Sequence, residues 1–374
     1  MVTPARSPTP ASAFATHPAP TPSPSPSPSP ASTPAPAAVP VPVADISALF
    51  DIYQSGVVFH CLCAVTRLGV ADALAAGPRP VGAVAAEVGA DEDALRRVLT
   101  LLAGHRFVTF DAAGDAALTG PGLLLSSRHP ASLSATFATL GISDVAHALT
   151  DVVRTGRAAA PQVLGAGFWD YLGQRPAEQA VFSAAMAEQA QLLSLPCVDL
   201  LSWPAEATIV DVAGGTGALL AAVLQAAPDA RGILVDQPSV LNRARERMRD
   251  AGVADRCDVS EGDLFGPPPK GDLYLLSRVL HDWNDEHVVR ILRAVAAGAA
   301  PAARLRVFED LLPEGTLPSP VQSWSDVVMM ALYDGARERT LSQFRTLFDR
   351  AGWRLERAVA GPPGMNVIEA QLLS

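Results

Sequence analysis

The sequence predicts a doubly wound α/β sheet preceded by a mostly helical region of winged-helix outline, and three observations lead there. After Pro204, β-branched apolar runs alternate with helical patterns, with strands expected at 208–212, 232–236, 257–260, 273–277 and 305–309. A glycine loop joins the first of these runs to an apolar helix, in Thr208-Ile-Val-Asp-Val-Ala-Gly-Gly-Thr-Gly217. Earlier, residues 81–110 read as helix, turn, helix and strand.

With 374 residues, 49% of them hydrophobic, the chain can bury a large core, and its length favours two domains. A formal net charge of −10 argues against a nucleic-acid partner. Cys61, Cys63, Cys197 and Cys257 form no Cys-x-x-Cys pair, so neither a disulfide nor a structural metal is expected.

Residues 1–43 are dominated by Pro, Ala, Ser and Thr and predict an extended, disordered tail without a secretory signal. No later stretch reads as a membrane span, so a cytoplasmic protein is expected. Order is expected from Asp45, read as the cap of a helix that runs towards Leu68. That helix is apolar on more than one face, which suits a partner chain or a central core position equally.

In the 81–110 segment Asp91 caps the second helix, and residues 115–118 would return as a wing. Asp91, Glu92 and Asp93 open that helix and would face phosphates, so a structural role is expected rather than DNA binding. Residues 130–155 read as helix, 168–172 as an aromatic knot and 177–195 as a long helix. After a helix at 342–351, strands at 354–359 and 365–370 close the chain. The domain division expected is 1–43, 44–200 and 201–374.

In the glycine loop, Gly214, Gly215 and Gly217 let the backbone turn sharply and approach a ligand at a helix N-terminus. A dinucleotide fingerprint needs a third spaced glycine, but Ala218, Leu219 and Leu220 follow Gly217. Asp211 places a negative charge just before the loop, where a pyrophosphate gains nothing and a cationic centre does. Asp236 ends the next strand, placed to accept both hydroxyls of a ribose. Together they suit S-adenosylmethionine, which carries a sulfonium, an ammonium and a ribose but no pyrophosphate.

Ligands of such sheets lie beyond the carboxyl ends of the strands. One crevice should therefore collect the glycine loop, Asp236, Asp263, Ser277, Arg278, His281, Trp283 and Glu309, with Phe265, Arg278 and Trp283 expected among the cofactor contacts. Asp263 would meet an adenine amino group between Leu264 and Phe265, or serve only as a turn residue. His281 follows an apolar strand, and a neutral imidazole is the side chain suited to deprotonating a phenol near pH 7. Glu309 would hold its tautomer, or cap a loop.

From about Asp45 onward the chain resembles the S-adenosylmethionine-dependent O-methyltransferases of plant phenolic metabolism and bacterial aromatic antibiotic pathways. The resemblance rests on the 211–217 loop, Val235-Asp-Gln-Pro238, Gly262-Asp-Leu-Phe265, Val279-Leu-His-Asp-Trp-Asn-Asp-Glu286 and Arg337-Glu-Arg-Thr340. It implies a class I methyltransferase domain behind an intertwined, homodimeric N-terminal region. It also implies cofactor contacts at the glycine loop, Asp236, Asp263, Leu264 and Ser277, with His281 as catalytic base flanked by Glu309 and Glu338. Asp326 and Met329 match the family's substrate region.

Trp169, Phe182, Met186, Asp326, Met329 and Met330 are the expected walls for a flat aromatic acceptor, an aromatic polyketide or related phenol. Ala213 stands where the family usually has glycine, Ala336 replaces another glycine, and Ser277 replaces a lysine frequent in plant members. Three rivals remain: a nicotinamide dehydrogenase, a winged-helix regulator, and a relative that keeps the cofactor site for a non-methylating step.

Overall fold

The computed structural model describes residues 42–139 and 141–373. The tail expected to be disordered, residues 1–43, lies outside the described residues except for its last two. Among the described residues the chain divides into two units, with the boundary between residues 51 and 52.

Helix α1 spans Val43–Arg67, and Asp45 lies inside its first turn rather than capping it. By length and composition α1 could cross a membrane, which corrects the reading that no stretch qualifies. The physical cause is its nearly uncharged sequence: Asp45, Asp51 and Arg67 are its only Asp, Glu, Lys or Arg residues.

Helices α2 (Val81–Val88) and α3 (Glu92–Gly104) follow, joined at Gly89 in the left-handed conformation. Asp91 caps α3, its carboxylate accepting from the Ala94 N–H at 2.9 Å. Strands β1 (Val108–Phe110) and β2 (Ala116–Leu118) form an antiparallel pair. Val84, Leu99, Leu102, Val108 and Ala116 bury one core beneath them.

The single helix expected over 130–155 is instead three short ones, at Ser134–Ala138, Gly141–Ala146 and Leu149–Thr155. In the first of these, Glu188 of a neighbouring helix accepts from the Ala135 and Thr136 N–H groups, fixing a helix start where the pattern had run on. The aromatic knot is helix α4 (Phe168–Gly173), and Glu188 belongs to α5 (Pro176–Leu192).

Seven strands make the main sheet: β3 (Thr208–Val212), β4 (Arg231–Asp236), β5 (Cys257–Glu261), β6 (Leu273–Ser277), β7 (Arg304–Glu309), and, past two short strands, β10 (Trp353–Ala360) and β11 (Asn366–Leu372). Their spatial order is β10-β11-β7-β6-β3-β4-β5. The first five are parallel, and the final hairpin runs antiparallel to β7, so the sheet is mixed rather than wholly parallel.

Helices α6 (Ala218–Ala226) and α7 (Pro238–Asp250) cover one face. Helices α8 (Asp285–Gly298) and, further on, α10 (Leu341–Ala351) cover the other. Strands β3 and β6 are buried nearly throughout, as central parallel strands with helices on both faces must be. Connections run outward in opposite senses from this pair, which makes the ends of β3 and β6 the switch point where a ligand crevice forms.

Two features escaped the strand pattern. β8 (Leu311–Leu312) and β9 (Arg339–Thr340) pair in parallel as a separate ribbon, and α9 (Pro320–Leu332) lies between them in sequence. This ribbon draws Glu338 alongside the end of β7.

Candidate active site

A cavity of about 970 Å³ opens at the switch point. Its lining includes Asp211, Gly214, Gly215, Asp236, Asp263, Leu264, Phe265, Ser277, Arg278, His281 and Trp283, all named from sequence. Trp169, Phe182, Met186 and Met329 form part of its wall as well.

Five residues of the expected set do not line it: Glu309 and Glu338 are buried behind His281, and Gly217, Met330 and Asp326 lie elsewhere. Gly217 does not line the cavity; a Cβ there would stand 2.4 Å from Met248 Cε, so its φ of +79° and its bareness serve helix packing. Met330 packs into the core formed with Phe168 and Leu172. Asp326 is turned to the backbone, its Oδ1 accepting from the Glu338 N–H at 2.8 Å.

At one end of the cavity, the carboxylate of Asp211 is buried and neither oxygen has a hydrogen-bond partner. Burial, reinforced by nearby Asp236, pushes it up to about 8. Such a group calls for a cationic or donor-bearing ligand. Gly214 leaves no room for a side chain, since a Cβ would stand 2.6 Å from Asp211 Oδ2. Asp236 accepts from Gly215 N–H at 2.7 Å and Gln237 N–H at 2.6 Å. Its carboxylate thus fixes the loop while remaining on the cavity wall.

Ala213 is held at φ +56°, a left-handed conformation costing about 1–2 kcal/mol for a residue with a Cβ. Its N–H donates to Val235 at 2.8 Å, which locks the loop's entry. Asp263 accepts from the Phe265 N–H at 3.0 Å, so it makes a turn and faces the cavity at once. Phe265 and Trp283 meet edge to face at 4.9 Å as the apolar wall beside it. Ser277 Oγ lies 3.0 Å from Ser194 Oγ, tying β6 to the stretch after α5.

At the other end stands His281, 4% exposed. Its Nδ1 lies 3.0 Å from Glu338 Oε1 and 3.3 Å from Glu309 Oε2, and its Nε2 lies 3.5 Å from Asp282 Oδ1. Glu309 ends β7 and also accepts through Oε1 from the N–H groups of Val279 at 3.1 Å and Leu280 at 2.8 Å. Glu309 thus caps the loop through Oε1, while its Oε2, without a hydrogen-bond partner, faces His281 Nδ1. Ser325 donates to Glu338 Oε1 at 2.7 Å.

Burial opposes a charged imidazole, but Glu309 and then Glu338 outweigh it and lift His281 to about 9. Burial raises Glu309. It also acts to raise Glu338, where His281 and Ser325 prevail and hold the carboxyl below its usual range. Asp282 is pushed up to about 7 by burial, against the pull of His281. The ligand atoms of His281, Glu309 and Glu338 lie within 4.8 Å of one another, a spacing one cation would also accept. Each side chain nevertheless already has a protein partner.

Sequence reasoning named the 337–340 motif without assigning its arginine. Arg339 is 1% exposed and donates to Leu280 O at 2.9 Å, Trp283 O at 2.6 Å and Asp285 Oδ1 at 2.8 Å. It fastens β9 to the loop that carries His281. Tyr333, also unassigned, lines the cavity and stacks on Trp169 at 5.8 Å. A lone Tyr just past a helix carries no spacing signal; an arginine inside a site motif carries a weak one.

Comparison with known proteins agrees with this geometry. A family model for an O-methyltransferase domain matches residues 146–354, and one for an O-methyltransferase dimerisation domain matches 50–119. Phenazine O-methyltransferase PhzM of Lysobacter antibioticus is 35% identical over 329 residues, 87% of this chain and 96% of the relative. Aclacinomycin 10-hydroxylase RdmB of Streptomyces purpurascens is 38% identical over 241 residues, 63% of this chain and 64% of the relative. Among solved structures, the O-methyltransferase NcsB1 from neocarzinostatin biosynthesis, in complex with S-adenosylmethionine and 2-hydroxy-5-methyl naphthoic acid, superposes with a TM-score of 0.72. It is 31% identical, with coverage of 84% of this chain and 96% of that one. With the match spanning most of its length and a crevice built on these motifs, the chain belongs to the O-methyltransferase family.

Proposed function

We propose that the protein transfers a methyl group from S-adenosylmethionine to a phenolic hydroxyl of an aromatic, polyketide-type secondary metabolite, with His281 as general base. It would act as a cytoplasmic homodimer, residues 44–200 providing dimerisation and the substrate lid and 201–374 the cofactor domain. The observation that carries this reading is one cavity with an unpartnered buried acid at one end and a carboxylate-backed histidine at the other.

The residues present fit the cofactor: the orphaned Asp211 oxygens would take its ammonium, Asp236 its ribose, and Asp263 with Leu264 and Phe265 its adenine. Bound there, it supplies an electrophilic methyl on a sulfonium. Trp169, Phe182, Met186 and Met329 would hold a flat ring against it. His281 takes the phenolic proton at Nε2, while Glu309 and Glu338 keep Nδ1 protonated and carry the resulting charge. An imidazole lifted to about 9 is close to the ordinary phenol value of about 10, so the transfer is nearly balanced.

His281→Ala tests the assignment. General-base removal lowers turnover by roughly 10²–10⁴-fold, while cofactor affinity by calorimetry stays unchanged. Orientation would supply the residual rate, since aligned reactants gain roughly 7–11 kcal/mol. Full activity of the variant across pH would remove the base role.

The similarity to a hydroxylase favours one second reading, a non-methylating step on the same cofactor platform. A cofactor-dependent product lacking a transferred methyl would establish it.

A further inference from the structure

Arg278 is the one Lys or Arg on the cavity wall among the described residues. No carboxylate lies within ion-pair distance of it and no protein group accepts a hydrogen bond from its side chain, again among the described residues. Its Nε is buried and unsatisfied. Its backbone is held at φ +55°, with the N–H donating to Phe308 O at 2.9 Å. A strained conformation persists where its surroundings fix it, so the backbone that carries this side chain is held in place. The groups whose titration it influences are Asp282, Glu309, Asp310, Glu338 and Tyr333, at the His281 end, and not the acids of the cofactor end.

A guanidinium with a buried, unmet donor calls for an oxygen acceptor from the ligand. We propose that Arg278 reads a carbonyl-type oxygen, of a ketone, quinone or carboxylate, placed ortho or peri to the hydroxyl that is methylated. The inference rests on the proposed methyl transfer and names the acceptor class within it. Its chemistry is coherent with the base. In an ortho-hydroxy carbonyl compound the phenolic proton is held by an internal hydrogen bond to the carbonyl oxygen. A guanidinium that takes over that oxygen frees the proton for His281 Nε2, and both contacts together fix the ring's orientation. Arg278 thus assists by binding and orienting, and moves no proton itself.

Three matched acceptors test the proposal: 1-naphthol, 1-hydroxy-2-acetonaphthone and 1-hydroxy-2-naphthoate. Each is assayed with S-adenosylmethionine bearing a deuterated methyl, on wild-type protein, Arg278→Met and Arg278→Lys. Wild type should prefer at least one oxygen-bearing acceptor over 1-naphthol by about tenfold or more in kcat/KM, expressed mainly in KM, and Arg278→Met should bring the ratio below about threefold. Arg278→Lys separates the two oxygen classes, since it keeps the charge and loses the planar fork. Retained preference for the naphthoate alone would assign a carboxylate, whereas loss of both preferences would assign a ketone or quinone. Unchanged S-adenosylhomocysteine affinity and circular dichroism in the variants exclude a folding defect. Equal use of all three acceptors by wild type, or a preference that survives in Arg278→Met, overturns the inference while leaving methyl transfer standing. No labelled product from any acceptor overturns the functional reading, and the inference with it.

Discussion

Replacing Glu338 by Gln should move the pH dependence of the reaction in a direction that only an electrostatic backing of His281 explains. The imidazole stands at about 9 because Glu309, Glu338 and Asp282 together outweigh its burial. Glu338 acts twice in that sum, by its charge and by its 3.0 Å contact with Nδ1. Removing its charge should lower the imidazole by about one pKa unit, or about 1.4 kcal/mol. A base must be neutral to act, so the rising limb of kcat/KM against pH, at saturating cofactor, should move down from near 9 by about one unit. At pH 7 the neutral fraction then grows about tenfold, offsetting the weaker base, and the variant should lie within a few-fold of wild type. Above both limbs only the weaker basicity remains, and the variant should be slower by several-fold up to about tenfold. Both proteins see the same acceptor, so its own ionisation cancels from the comparison. A uniform loss at every pH, with the limb unmoved, would refute the electrostatic role and leave Glu338 as scaffolding.

Further outcomes follow from other residues. Asp211 has its folded-state value raised to about 8 by burial, so the ligand-free protein should lose stability as pH rises from 4 towards 8. Asp211→Asn should raise the melting temperature at pH 8, by roughly 1–3 kcal/mol of stability, and weaken cofactor binding in calorimetry; tighter binding would contradict the ammonium assignment. Ala213→Gly relieves a left-handed alanine and should stabilise by a few tenths to about 1 kcal/mol once unfolded-state entropy is subtracted, measured by urea titration. Arg339→Met leaves two carbonyls without their donor, while half-exposed Asp285 returns to water, and should cost about 2 kcal/mol or more and most of the activity. Activity after chelator treatment should persist, since proton transfer at His281 uses protein carboxylates alone; loss restored by a divalent ion would assign the His281, Glu309 and Glu338 cluster to a metal.

The central strands were legible because each is defined by its own composition. β3 and β6 are β-branched or leucine-rich runs bounded by turn residues, and their limits are those the pattern predicts. The antiparallel sense of β10 and β11 was not legible, because strand direction is set by connections and not by a strand's residues. The 130–155 stretch misled in part for a related reason: its first short helix starts where a distant glutamate, Glu188, accepts from the Ala135 and Thr136 N–H groups. In the site, residues following β3, β4 and β6 could be placed from topology alone. Glu338 came only through resemblance, since a two-residue ribbon brings it to β7. Gly217, Asp326 and Met330 show the limit of motif reading: each sits beside the cavity wall in sequence, yet helix packing, a backbone hydrogen bond and a side core claim them. Tyr333 and the unpaired state of Arg278 are products of tertiary packing with no local pattern to announce them.

The most direct test of the account incubates purified protein with an ortho-oxygenated phenol and S-adenosylmethionine carrying a deuterated methyl, and follows the product by mass spectrometry in wild type and His281→Ala. The account predicts a trideuteromethyl group on the phenolic oxygen, formed rapidly by wild type and slowly by the variant. A cofactor-dependent product that carries no label would contradict it.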